Sequence, residues 1–332
     1  MSTSGISNRR SPVNASRRGF MKMVLASAAT VAGIDLLCIG AAAPEGKGAP
    51  AKGKGMYIDI HVHACAWGED GFNLEGVSEW MEANRVLRCI VQYGVPSPGT
   101  EQEKRRAIEN FKKYRGRIFP FCLIEPNDVS TKAEAVKILR KMKADGAIGF
   151  GEHYGKKLTV DDPKCMRLYE ACAEVGLPVL FHMDGGNNRD EPGLPRLEKA
   201  LKAHPKCIFI GHGPGWWANI RPIAPAGKKA GPTTKANPIG AVDRLLARYP
   251  NMYGDLSAGS GARAIGRDKA FGRAFLIRHA DKLMFGTDSG SWSYQKAPAP
   301  QFTLFEGLNL PADVKAKIYR ENAEQLFRFK DS

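Results

Sequence analysis

The residues best suited to chemistry are histidines and carboxylates spread along the chain, beginning with the run His61-Val62-His63. Side chains alternate along an extended strand, so the two imidazoles of such a run point to the same side. Glu152, His182, His212 and Asp288 follow at wide spacing. Of the seven histidines in the sequence, His61, His63, His182 and His212 fall at the ends of predicted strands, which a random scatter would seldom produce. Imidazole nitrogen with carboxylate oxygen is a donor set for a divalent cation, Zn²⁺ first and Mn²⁺ or Fe²⁺ as alternatives. One or two ions are compatible with that many donors. Such an ion lowers the pKa of its bound water from 15.7 toward about 7 and polarises a carbonyl or phosphoryl oxygen. The expected chemistry is therefore attack by an activated water.

Donors so far apart in sequence need a frame that gathers them. From Met56 onward, short apolar runs alternate with stretches of helical periodicity, the sign of βαβ units and a parallel sheet. Strands are expected over Tyr57 to His61, Arg88 to Tyr93, Ile118 to Leu123, Ala147 to Phe150, Pro178 to His182, Cys207 to Gly211, Met252 to Leu256 and Lys282 to Gly286. Amphipathic helices are expected over Thr131 to Ala144, Pro163 to Val175, Leu194 to Ala203, Ile239 to Arg248, Asp268 to His279 and Pro311 to Phe327. Eight strand-helix pairs in one chain match an α/β fold of the (β/α)8 TIM-barrel class, with a doubly wound open sheet as the alternative. In a barrel the active site is built where the strands end, and that is where the candidate ligands lie. The long segment from Gly213 to Pro238, with Trp216, Trp217, Lys228 and Lys229, reads as an active-site lid.

The first 55 residues read differently. Arg17 and Arg18 stand before Phe20 and Lys22, and an Ala-rich apolar stretch runs from Met23 to Ala43. A charged region, a modest apolar region and a small-residue end make residues 1–43 a twin-arginine signal peptide. The stretch is interrupted by Gly33 and Asp35 and is too weakly apolar for a membrane span. Residues 44–55 read as a flexible linker of Gly, Ala, Pro and Lys, and residues 56–332 as the catalytic domain. The implied route is export by the Tat machinery to the periplasm or another extracytoplasmic space. Setting aside the five bases and one acid before Pro44 lowers the formal charge from +15 to +11. No basic stretch is interleaved with aromatics, so nucleic acid is not an expected partner. The partner expected is a small-molecule substrate, with an anionic one and a homo-oligomer both left open. Cysteines within apolar runs, as in Arg88-Cys89-Ile90-Val91, predict buried thiols, and no CxxC spacing suggests zinc or redox chemistry.

The motifs Asp59-Ile60-His61-Val62-His63, Gly176 to His182, Gly211-His212-Gly213 and Phe285-Gly286-Thr287-Asp288 resemble, in kind and order, those of the amidohydrolase superfamily, particularly its amidohydrolase-related group. The resemblance extends from about Tyr57 to Phe327. It implies that His61, His63, His182 and Asp288 bind metal, and that Asp288 takes the water's proton and passes it to the leaving group. It implies for His212 either a ligand to a second ion or a proton-transfer role. Many binuclear relatives carry a carboxylated lysine at the fourth strand, where this chain has Glu152, as in the TatD-like relatives. Glu152 would then either bridge two ions or support a ligand by hydrogen bonding. The function implied is a metal-dependent hydrolase acting on an ester, amide, lactone or phosphoester, with non-oxidative decarboxylation as the alternative.

Other residues carry weaker expectations. Alternation turns His153 toward the barrel wall. Trp216 and Trp217 either stack on substrate or cap the barrel mouth. Asp255, Ser257 and Arg263 are candidates for holding substrate polar groups, but each alone reads first as structural, and Asp184 reads as a loop residue before a site residue; His204 and His279 are expected at the surface near helix ends.

Overall fold

A computed structural model describes residues 56–66, 72–95, 99–221, 240–290 and 299–329. The expected signal peptide, the whole of the expected linker, and Lys228 and Lys229 lie outside the described residues. Eight parallel strands follow one another around a single sheet: β1 (Tyr57–His63), β2 (Val86–Val95), β3 (Ile118–Cys122), β4 (Gly149–His153), β5 (Val179–His182), β6 (Phe209–His212), β7 (Met252–Asp255) and β8 (Leu283–Met284). The sheet closes on itself through Ile60 N–H to Phe285 O at 3.1 Å, Asp288 N–H to His61 O at 2.8 Å and His63 N–H to Ser289 O at 2.7 Å. This is the (β/α)8 barrel expected from the strand count.

The helices between strands are α1 (Leu74–Ala83), α2 (Glu101–Lys113), α3 (Lys132–Ala144), α4 (Pro163–Val175), α5 (Pro195–Ala203), α6 (Pro214–Trp217), α7 (Ala241–Arg248), α8 (Ala258–Gly266) and α9 (Lys269–Arg278). After β8 come α10 (Pro300–Glu306), α11 (Ala312–Ala316), a π-helical turn (Lys317–Glu321) and α12 (Asn322–Phe327). Local signals set their ends. Thr100 and Glu103 form a capping box at the start of α2, Asp162 caps α4 ahead of Pro163, and Gly176 ends α4 in a left-handed conformation at φ 72°. The single helix expected from Pro311 to Phe327 is interrupted because the barrel uses its backbone: Ile318 O accepts from Phe285 N–H at 2.9 Å. Asn322 Nδ2 then donates to Ala280 O and Leu283 O, docking α12 beside β8.

Two apolar layers result. The outer one lies between strands and helices, and the inner one fills the barrel with Ile58, Ile60, Ile90, Phe121, Leu180, Ile210 and Met284. Phe121 needs room, which Gly149 across from it supplies; a Cβ there would stand 2.2 Å from the Phe121 ring. Five cysteines are buried free thiols and Cys65 is half-buried. Among the described residues no helix is long and apolar enough to cross a membrane.

Candidate metal centre

Three irregularities at the upper rim aim the functional side chains. Strict alternation would put His61 on the opposite side of β1 from Ile58 and Ile60. A register shift between Asp59 and Val62 inserts an extra residue, so that Ile58 and Ile60 fill the barrel below while His61 and His63 look into it above. In β4, Phe150 pairs with Val179 but His153 pairs with Phe181, three residues advancing against two. Glu152 faces the barrel as a result, and His153 packs against Phe150 and Tyr169 in the wall. In β2 a shift between Val91 and Val95 carries Tyr93, at φ 56°, to the rim. After β6, Gly213 at φ 96° turns the chain; a Cβ there would stand 2.6 Å from Met183 O.

All six expected site residues converge. His61 Nε2 lies 3.1 Å from His63 Nε2, 3.6 Å from Glu152 Oε2 and 3.4 Å from Asp288 Oδ1. His63 Nε2 lies 3.3 Å from Glu152 Oε2 and 3.1 Å from Asp288 Oδ1. The other Glu152 oxygen, Oε1, lies 2.6 Å from His182 Nδ1 and 3.4 Å from His212 Nε2. Donor atoms around one tetrahedral ion with bonds of about 2.0–2.1 Å stand about 3.4 Å apart. The spacing in the first set matches that edge length. Glu152 Oε2 is buried and accepts no well-formed hydrogen bond, which is costly unless a cation or proton takes it. Three overlapping donor groups meet the spacing for an ion: His61, His63 and Glu152; Glu152, His182 and His212; and His61, His212 and Asp288.

The charges are mutually dependent. Burial opposes protonation of His61, but Asp288, Asp255 and Glu152 outweigh it and hold its pKa well above the ordinary value. His63 is raised against burial by Asp288 and Glu152. Burial likewise opposes His182, whose pKa Glu152 and Asp184 lift to about 9. Burial would raise Glu152, yet His182 and His61 hold it well below the usual carboxylate range. Asp288 is lowered against burial by His61 and His63. The pocket's carboxylates thus demand positive charge, from imidazolium or from a cation.

Behind the donors stands a layer that the sequence did not reveal. Asp255 Oδ2 accepts from His61 Nδ1 at 2.7 Å and from Ser257 Oγ at 2.7 Å and stands 3.0 Å from His212 Nδ1, which also contacts Ser257 Oγ at 3.0 Å. One carboxylate therefore orients two imidazoles and turns both Nε2 atoms toward the centre. Asp184 Oδ2 does the same for His182 through Nε2 at 3.1 Å, leaving Nδ1 facing Glu152. Beneath them Asp59 accepts from His61 N–H at 3.0 Å and from Thr287 N–H and Oγ at 3.1 and 2.6 Å, tying β1 to the segment that carries Asp288.

A family model for amidohydrolases matches residues 92–329. The chain belongs to the amidohydrolase family. No functionally curated protein matches the sequence. Among solved structures, this amidohydrolase superposes on an Acinetobacter baumannii protein described as a probable 2-pyrone-4,6-dicarboxylic acid hydrolase, solved with citric acid bound. The identity is 14%, over 82% of this chain and 100% of that one, with a TM-score of 0.53. An uncharacterized TIM-barrel protein from Bordetella bronchiseptica matches at 18% identity over 82% and 98%, with a TM-score of 0.55. The 5-carboxyvanillate decarboxylase of Novosphingobium aromaticivorans, complexed with manganese, matches at 16% over 76% and 79%, with a TM-score of 0.48. At such identities the likeness is one of fold.

Several weaker expectations resolve differently. Trp216 and Trp217 are buried in the wall: Trp216 lies over Gly211, and Trp217 Nε1 donates to Asp255 O at 3.2 Å. Asp255 and Ser257 contact histidine rings from behind rather than facing the centre. His279 is buried and bonded to Asp243 at 2.8 Å, not a surface residue, because α9 ends against α7. Tyr93 and Tyr154, whose rings border the site, had no signal in the sequence beyond their neighbourhood to Glu152 and the end of β2.

Proposed function

We propose that this amidohydrolase is a metal-dependent hydrolase that uses an activated water on an ester, amide, lactone or phosphoester. The observation that carries the reading is the position of Glu152, one oxygen toward His61 and His63 and the other toward His182 and His212. A carboxylate so placed suits a bridge between two ions, for which Zn²⁺, Mn²⁺ or Fe²⁺ are the chemically fitting choices. His61 and His63 with Asp288 would hold one, and His182 and His212 the other. A divalent cation bound there would polarise the substrate oxygen and lower the pKa of its water toward about 7. Asp288, a quarter exposed at the mouth, takes the proton from the attacking water and returns it to the leaving group. Where only one ion is held, His212 Nε2, 3.9 Å from Asp288 Oδ2, would take part in proton transfer instead. Asp255 and Asp184 keep the ligand tautomers fixed.

Metal analysis of protein purified from its own host, with a panel of esters, lactones, phosphoesters and aromatic carboxylates, tests this reading. Two ions and hydrolysis are expected, and Glu152→Gln should hold one ion at most and lose turnover. A single ion in both proteins, with carbon dioxide released from a carboxylate, would move the assignment to decarboxylation. The twin arginines further support export through the Tat machinery. Arg17→Lys with Arg18→Lys should leave the precursor in the cytoplasm, and unchanged export would remove that assignment.

A further inference from the structure

One side of the mouth is aromatic. The Tyr154 ring lies over His182, with centroids 4.7 Å apart and planes 24° apart. Tyr93 runs parallel to Tyr154 at 6.2 Å and 10°, and its ring stands 5.7 Å from His63. The two tyrosines thus span from one histidine pair to the other, around Glu152. Both are half-buried. Tyr93 reaches this place through the β2 bulge and a left-handed backbone that a bulky residue rarely adopts. Tyr154 stands two residues beyond Glu152 at the end of β4, and its ring and that of Tyr93 line the mouth between His182 and His63. A phenol is neutral at ordinary pH, so each tyrosine offers an O–H donor. That matters because the ionised carboxylates crowding the site can only accept hydrogen bonds.

We propose that Tyr154 is a catalytic residue that gives its O–H hydrogen bond to the reacting oxygen of a planar acyl substrate, with Tyr93 as the positioning residue that holds it. The assignment rests on the hydrolase reading. A substrate lying flat along the tyrosine rings brings its carbonyl oxygen to the Tyr154 donor. Water's oxygen bonds to the carbonyl carbon, its proton goes to Asp288, and the carbonyl π pair moves onto the oxygen that Tyr154 holds. The pair then returns, the carbon–oxygen bond to the leaving group breaks, and the leaving alkoxide takes the proton from Asp288. Ester and water become acid and alcohol, and Tyr154 keeps its proton throughout.

Tyr154→Phe and Tyr93→Phe, each loaded with metal, test this with dihydrocoumarin as the flat lactone, δ-valerolactone as the aliphatic one, and benzohydroxamate as a binding probe read by calorimetry. Tyr154→Phe should keep its metal and lose kcat on dihydrocoumarin by ~100-fold, the scale for one lost oxyanion donor. KM should move much less, benzohydroxamate should bind roughly tenfold more weakly, and Tyr93→Phe should show the smaller loss. Unchanged kcat and unchanged probe binding overturn the proposal. So does metal loss in step with the rate, which would make Tyr154 a support for Glu152 only. Preference for δ-valerolactone overturns the planar substrate. If the wild type hydrolyses neither lactone, the wider substrate panel decides the hydrolase reading, and benzohydroxamate still decides the donor: weaker binding to Tyr154→Phe keeps it, equal binding removes it.

Discussion

At its lower end the barrel interior holds Ile58, Ile60, Ile90, Phe121, Leu180, Ile210 and Met284, closed from below by Phe327. One or two residues further along the same strands stand His61, Gln92, His182 and His212, joined by Glu152, Asp255 and Asp288. The lower half is held by burial alone, which is non-directional and tolerates any well-fitting apolar set. The upper half is held by directed contacts, and each of its charges makes sense only with the others in place. The contrast separates a part of the molecule that stabilises the fold from a part that carries activity, although one short strand serves both.

Asp288→Asn should show the upper half at its most sensitive. The amide can still coordinate through oxygen but cannot take a proton, so kcat should fall by roughly 10²- to 10⁴-fold while part of the metal is retained. Turnover close to wild type would remove Asp288 as the proton carrier. Phe121→Ala probes the lower half. Its ring is fully buried against Gly149 and Phe327, and its loss should cost about 3–5 kcal/mol of stability by chemical denaturation. Metal content at saturation should not change. If Phe121→Ala lost its metal while remaining folded, the two halves would not be separable.

The two halves also differ in how far the sequence disclosed them. The eight strands and their order were legible because apolar runs and helical periodicity alternate from Tyr57 onward, and the six converging residues were legible because they sit at strand ends. Boundaries moved where the barrel departs from ideal geometry. β8 contracts to Leu283–Met284 because the N–H of Phe285 turns to Ile318 O while its carbonyl accepts from Ile60. A strict period of two cannot foresee the bulges that turn Ile60 and His61 inward together or carry Tyr93 to the rim. Asp255 was unreadable as an orienting group for a different reason. Its partners His61 and His212 come from other strands, and only the closed barrel makes them neighbours.

The smallest expected effect is a pH dependence that isolates a titrating pair outside the barrel interior. The aliphatic residues and Phe121 of the lower interior do not titrate, so they contribute nothing to the pH profile. His61, His63 and His182 have raised pKa values, so in metal-free protein their contribution is complete below about 6.5 and is lost as pH rises through the folded values. His279 runs the other way. Burial lowers its pKa, although Asp243 opposes the shift. The unfolded chain therefore takes up a proton on His279 below about 6.5 that the folded protein resists, and stability falls as pH falls through that range. Burial also opposes ionisation of Asp243, but its bonds to Arg278 and His279 lower its pKa, so its own contribution persists until pH drops below the ordinary carboxylate value. His279→Gln keeps a donor for Asp243 without a titrating group. Thermal melts of wild type and His279→Gln between pH 7 and 5 should therefore differ in slope, with the variant losing less Tm on acidification. Parallel slopes would mean that His279 titrates alike in the folded and unfolded chains, and a variant that loses more Tm than the wild type on acidification would make the bond to Asp243 an ion pair.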